Sequence, residues 1–237
     1  MSEWAPRRFY KDATVEEAEG GFIVHLDGRP LRTPGKAPLV VPSRGIAEAM
    51  AEEWRAQDEK IDPRTMPFTR TANSAIDKVA PQHPEVADML AEYGDSDLLC
   101  YRAESPAELV ARQAERWDPL LDWAEREMGA RLEPRAGIMH AAQPEAALRL
   151  LAERTHAFSP FELAAFHDLV ALTGSLVLGF AATRSEHDAE ELWALSRLDE
   201  TFQEELWGED EEAQQTADIK RLAFLHAHRF FALCQAA

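Results

Sequence analysis

Apolar and polar positions change their period once along this chain. In the first ~45 residues they read as strands. Phe22, Val24 and Leu26 alternate with Ile23, His25 and Asp27, and Asp27-Gly28 supplies a two-residue hairpin turn. Arg29 to Thr33 returns and stops at Pro34-Gly35, and Leu39-Val40-Val41 is a further short strand closed by Pro42. Pro30 has no N–H for a ladder, so the return strand belongs at an edge or carries a bulge. A sheet this small requires a partner layer.

From Ser43 the period is helical. Ile46, Ala47, Met50, Ala51 and Trp54 form one stripe behind an N-cap at Ser43. A turn-rich stretch, Asp62-Pro63-Arg64 and Met66-Pro67, precedes a segment around Thr71 to Val79, and Pro81 to Pro84 marks a boundary. Beyond it, Ser105-x-x-Glu108 with Pro106 and Ser159-x-x-Glu162 with Pro160 read as capping boxes. Asp118-Pro119 should kink a helix or start a new one. Arg131 to Met139 looks extended. Thr173-Gly174-Ser175 breaks the chain before the apolar run Leu176 to Ala182, and a final helix runs from about Glu209 to Cys234. The expected fold class is α+β. Residues 1–82 form a beta-rich N-terminal domain with one or two helices, and residues 83–237 a mainly alpha-helical C-terminal domain.

Charge sharpens this picture. Acids outnumber Lys and Arg by 43 to 25, a net −18, and twelve of those carboxylates lie between Ser185 and Thr216 against Arg197 alone. The same stretch spaces Leu192, Trp193, Leu195, Leu198, Phe202, Leu206 and Trp207 as a helical apolar face, so it is packed rather than a disordered acidic tail. Its field repels nucleic acid and favours a basic or polar protein surface. A solubilising helix face would show the same pattern. No apolar run approaches a membrane span, and Met1 to Lys11 has neither a signal-peptide core nor an Arg/Ser-rich presequence. Cys100 and Cys234 sit in apolar contexts, which suits a reducing compartment. A bacterial cytoplasm, or a mitochondrial matrix for an organellar mature form, is expected.

Familiar catalytic patterns fail on spacing. Gly28 to Lys36 separates its glycines wrongly for a phosphate loop and puts Ala37 where a magnesium-binding hydroxyl belongs. Gly174-Ser175 lacks the glycine of a nucleophile elbow, and a helix cap suits Ser175 better. His226 and His228 diverge on a helix, and no histidine pair has zinc spacing. No cofactor or metal is expected.

Several segments, in order, carry a resemblance. They are Arg8-Phe9-Tyr10-Lys11, Leu26-Asp27-Gly28-Arg29-Pro30-Leu31-Arg32-Thr33-Pro34, Ala51-Glu52-Glu53-Trp54-x-x-Gln57, Met66-Pro67-x-Thr69, and Asn73-x-x-Ile76-Asp77. Then come Asp97-Leu98-Leu99-Cys100-Tyr101-Arg102, Gln113-x-x-x-Trp117-Asp118-Pro119-Leu120-Leu121-x-Trp123 and Thr173-Gly174-Ser175-Leu176. Ser196-Arg197-Leu198-Asp199-Glu200-x-x-Gln203 and Trp207-Gly208-x-x-Glu211-x-Ala213 complete the set. Together, from about Arg8 onward, they resemble the assembly chaperone family that handles the alpha subunit of the catalytic head of F-type ATP synthase.

The resemblance implies a non-enzymatic chaperone with a beta-rich N-terminal and a helical C-terminal domain, monomeric when client-free and binding neither nucleic acid nor membrane. It would hold an unassembled alpha subunit until the beta subunit replaces it. Interfaces that are obligate in a finished complex are unusually apolar, so masking one prevents aggregation without a cofactor. The resemblance also points to the acid after Trp-Gly. It falls on Glu211, with Asp210, Trp207 and Gly208 as companions, whereas Gln214-Gln215 stands where a His-Asp pair is expected. Glu211 could equally serve only the helix dipole. Trp54, Trp117 and Trp123 read as core, and Arg29 and Arg32 as guards of a sheet edge. Two other readings are an enzyme using His25, Asp77 or Asp95 between the domains, and a stable acidic scaffold subunit of another complex.

Overall fold

A computed structural model describes residues 7–236. The N-terminal leader reading therefore falls, for its first six residues, outside the described residues. In chain order the elements begin with β1 (Ala13–Ala18), β2 (Gly21–Leu26), β3 (Arg29–Pro30), β4 (Val40–Val41), α1 (Arg44–Arg55) and α2 (Pro67–Ser74). Next are α3 (His83–Ala91), β5 (Tyr101–Arg102), α4 (Ala107–Met128), β6 (Arg135–Ala136) and α5 (Glu145–His156). The remainder is helical: α6 (Pro160–Thr173), α7 (Leu176–Ala182), α8 (Ala189–Ser196), α9 (Leu198–Trp207) and α10 (Glu211–Gln235). Strands near the N-terminus and a mostly helical remainder, interrupted by the short parallel pair β5–β6, make an α+β fold, as expected.

The chain forms two compact units. Among the described residues, the first holds those up to His83 with Ser159–Ala165 and those from Arg229, and the second holds Pro84–Phe158 and Phe166–His228.

In the first unit β2 is the central strand. It pairs antiparallel with β1, Val15 opposite Val24, and on its other side with β3 and β4 in succession. The Asp27-Gly28 turn has positive φ at both residues (48° and 80°), the two-residue geometry that suits a twisted hairpin. Asp27 is held there by backbone N–H groups of Lys11 and Asp12 donating to its carboxylate at 3.0–3.1 Å, which lowers its pKa. Pro30 sits on the edge strand β3. The alternation did not show β1. Thr14 to Glu17 carry one aliphatic residue, and pairing with β2 makes the strand. Helix α1 covers the sheet with Ile46, Ala47, Met50 and Ala51, and the Ser43 hydroxyl caps it by accepting from Ile46 N–H. Each large apolar side chain buried here contributes roughly 1.5–3 kcal/mol.

In the second unit α4 supplies Trp117, Leu121, Trp123 and Ala124 to a core that includes the wholly buried α7. Trp117 and Trp123 are core, as expected, while Trp54 in the first unit is half-buried. Helix α4 continues through Pro119, so that residue starts no new helix. It also begins at Ala107 behind Pro106, which places Ser105 one residue outside the cap position, so no capping box forms. The Ser159 box does form, with Ser159 N–H donating to Glu162 at 2.8 Å and Glu162 N–H to the Ser159 hydroxyl at 3.4 Å. Up to Gly208 the acidic stretch is two helices, broken at Arg197, and its last acids open α10.

Candidate partner-binding site

The segments carrying the resemblance meet one another in space, mostly by side chains holding backbone ends. In the first unit Glu53 accepts from Phe68 and Thr69 N–H and from the Thr69 hydroxyl, so a carboxylate on α1 caps α2. Burial nevertheless pushes its pKa up. Asp77 accepts from the Thr33 hydroxyl (2.7 Å) and Gly35 N–H (2.8 Å), fixing the loop after the hairpin. In the second unit Gln113 joins Ala103 N–H to Asp199, and Trp117 donates to the Leu195 carbonyl at 3.0 Å. Arg102 lies over the Trp117 ring and pairs with Asp118 at 2.8 Å. Asp97 receives the Ser175 hydroxyl and the N–H groups of Leu99 and Val177.

These residues maintain the fold. Asp77 and Asp95 also have local partners, the Thr33–Gly35 loop and Gln143 N–H with His140 respectively, while His25 lies 3.6 Å from Glu16 and its buried Nδ1 has no hydrogen-bond partner among the described residues. Arg29 is exposed at the edge and Arg32 donates to the Lys36 carbonyl. Cys100 is buried, with its thiol pushed up to about 12 by desolvation and by the Asp97 charge. No group of acids, histidines and cysteines among the described residues is arranged to hold a metal.

The end of α9, Gly208 and the start of α10 behave differently. Gly208 ends α9 at φ 90°, a backbone conformation that side chains disfavour. Asp210 caps α10, accepting from Ala213 N–H at 2.9 Å. That leaves Glu211 exposed in the first turn, with no ion-pair partner among the described residues. Leu206 and Trp207, which the periodicity places on the packed face, are 58% and 78% exposed. Trp207 falls five residues past the buried Phe202, which turns it about 140° around the helix. Trp207, Gly208, Asp210 and Glu212 line a groove of about 560 Å³ together with the cations Arg197 and Lys220. An exposed Trp beside uncompensated carboxylates can anchor an apolar contact and a cation together. Further along α10, Ile219 and Leu222 are exposed as well. Their spacing of three puts them near each other on one helix face, and nothing in the sequence shows that this face is uncovered.

The charge is unevenly distributed. The second unit holds 29 acids against 12 Lys and Arg, a net −17, leaving the first nearly neutral. Neighbouring acids are partly compensated: Arg197 pairs with Glu200 and Glu204, and Arg112 with Glu205. Glu209, Glu211 and Glu212 have no such partner among the described residues.

Residues 7–125 match the family model described as ATP12 chaperone protein. The chain belongs to the ATP12 chaperone family. This is a chaperone family of ATP synthase assembly. A crystal structure of Atp12 from Paracoccus denitrificans is 50% identical, covers 96% of this chain and 98% of its own, and superposes with a TM-score of 0.93. A protein of Agrobacterium tumefaciens is 45% identical, with coverages of 96% and 86% and a TM-score of 0.92. The mitochondrial protein atp12 of Schizosaccharomyces pombe is 27% identical over 221 residues, 88% of this chain and 76% of that protein. No helix among the described residues is long and apolar enough to cross a membrane.

Proposed function

We propose that this chain binds the unassembled alpha subunit of the catalytic head of F-type ATP synthase and keeps it from aggregating until the beta subunit replaces it. The client contact is the α9–α10 turn, with Trp207 as apolar anchor, Glu211 as the charge that meets a client Arg or Lys, and Gly208 and Asp210 setting their geometry. The exposure of Trp207 beside acids without partners carries this reading, because most motif residues elsewhere hold the fold, Phe9 and Arg29 being exposed exceptions. Masking needs no chemistry: the chain acts without a cofactor, and release follows when the beta subunit competes with higher net affinity. Its place of action is the bacterial cytoplasm, or the mitochondrial matrix for an organellar form.

The test is co-expression of the tagged chain with the alpha subunit, the beta subunit, or both. Capture of alpha alone, lost when both are present, with less light scattering from alpha on warming, is the expected result. Equal capture of both subunits would refute client specificity, and a permanent third partner in every pull-down would favour the scaffold reading.

A further inference from the structure

A second groove lies elsewhere in the second unit, between α5 and the helical turns from α3 to Ser96. It measures about 820 Å³. Its two walls have matching helical spacing. Asp88, Ala91, Glu92 and Asp95 line one, and Glu145, Leu148, Arg149 and Ala152 the other, with Ala146 beside them. Positions i, i+3, i+4 and i+7 define one face of a helix, so each wall turns one face to the same channel. The walls run antiparallel and are clamped at both ends. His156, the last residue of α5, lies 2.7 Å from Asp88, and Gln143, just before α5, donates its N–H to Asp95 at 2.8 Å. Between the clamps Gly94 allows close approach, since a Cβ there would come within 3.2 Å of Leu148. The floor is small and apolar, and α5 is about 18 Å long, so three turns of another helix fit.

The charge selects what fits. Four carboxylates face one cation, Arg149, which itself lies 3.8 Å from Glu153. Glu92 and Glu145 have no ion-pair partner among the described residues. At the Asp95 end, His140 lies 3.3 Å from both Asp95 and the Tyr101 hydroxyl. The two residues just before it, Ile138 and Met139, are 92% and 81% exposed. A nucleic acid is repelled by this field, and a second copy would bring helices from the same unit of net −17.

We propose that this groove binds a basic amphipathic helix of a partner protein, with its apolar stripe on the alanine and leucine floor and its Lys or Arg side chains on Glu92 and Glu145, the two acids not engaged in the clamps. The site goes beyond the α9–α10 contact and shares no residue with it.

The probe is a fluorescent 18-residue helical peptide with a leucine stripe flanked by lysines, titrated against the full chain by anisotropy. A peptide with glutamates in place of the lysines serves as its control. Ala146 is exposed, so Ala146→Trp fills the groove without disturbing a core; it should weaken the basic peptide at least tenfold at unchanged melting temperature. The Glu92→Gln/Glu145→Gln pair should weaken it about tenfold at low salt and less at high salt. Glu211→Gln should leave it unchanged. Equal binding by all variants, no binding of the basic peptide, or loss only with Glu211→Gln would overturn the proposal. So would a dimer in sedimentation that Ala146→Trp dissociates, since a second copy would then be the occupant.

Discussion

Asp97 accepts a 2.7 Å hydrogen bond from the hydroxyl of Ser175, 78 residues away, and both side chains are fully buried. One residue thereby closes two helix starts: its carboxylate takes Leu99 N–H in the turn it precedes and Val177 N–H in α7. Ser175 in turn accepts from Leu178 N–H at 3.0 Å. Desolvation outweighs these donors and pushes the Asp97 pKa up to about 6.

That shift sets a sign. The folded state holds the proton more tightly than the unfolded chain, whose Asp has a pKa near ~3.9. Asp97 therefore favours folding most below about pH 4, and its contribution falls as pH rises from ~4 to ~6. Asp97→Asn cannot titrate and offers Val177 an amide in place of an acceptor, so it should lose about 1–3 kcal/mol of stability at pH 4. The difference between variant and wild type should narrow as pH rises to 7. Denaturant unfolding at pH 4, 5, 6 and 7 checks this, and a difference that stays constant across the series would show that Asp97 does not titrate there.

Gly35 and Asp77 are coupled by space as well as by a hydrogen bond. A Cβ on Gly35 would lie 2.7 Å from Asp77 Oδ1, whereas Gly35 itself donates its N–H to Oδ2 at 2.8 Å. Gly35→Ala should therefore cost roughly 1–3 kcal/mol in the wild type and distinctly less in an Asp77→Ala background. A double-mutant cycle by chemical denaturation measures the coupling, and strictly additive costs would mean that the loop moves aside freely.

Much of this fold was written locally. Asp27-Gly28 needs two positive φ values, Ser159 and Glu162 satisfy each other's N–H groups, and Gly174-Ser175 ends one helix and caps the next; each depends on neighbours in sequence. What could not be read depends on distant partners. Strand β1 exists because β2 pairs with it, and Ser105 fails as a cap because the helix begins one residue later. The site was legible only in part. The acids after Gly208 were evident, but Asp210 turns out to be occupied as a cap, and the exposure of Trp207 follows from its angle to Phe202 and from where the helix stops.

We propose residues 80–84 as the junction of two domains, 1–82 and 83–237, and the first unit adds a condition. Phe68 stacks on Phe230 at 5.8 Å, and a Cβ on Gly45 would lie 2.8 Å from Leu233. Fragment 1–82 lacks both partners, so it should unfold on heating at a lower temperature and over a broader range than the whole chain. Phe230→Ala in the full chain should cost about 3–5 kcal/mol, since that ring is fully buried. A fragment melting sharply at the wild-type temperature would show that the last helical turns add nothing to this unit.

Glu211 and Asp210 are adjacent acids at one helix start, and the geometry gives them different work. Asp210 accepts from Ala213 N–H, so Asp210→Asn should affect α10 locally and Asp210→Ala should lower stability measurably. Glu211 makes no ion pair among the described residues, and Glu212 beside it shares any dipole role, so Glu211→Gln should leave the melting temperature unchanged. If Glu211 meets a client cation in a desolvated contact, its loss should weaken client capture by about tenfold or more, and Glu212→Gln should behave nearly as wild type. Trp207→Ala should weaken capture comparably, because an exposed ring contributes little to the isolated fold and much to a contact that covers it. The measurement is capture of the alpha subunit, and suppression of its aggregation, at physiological salt and equal folded concentration. Wild-type activity in Glu211→Gln would return that residue to the helix dipole alone. Equal losses in the Glu211 and Glu212 variants would mean that the client senses the field of the turn rather than one carboxylate.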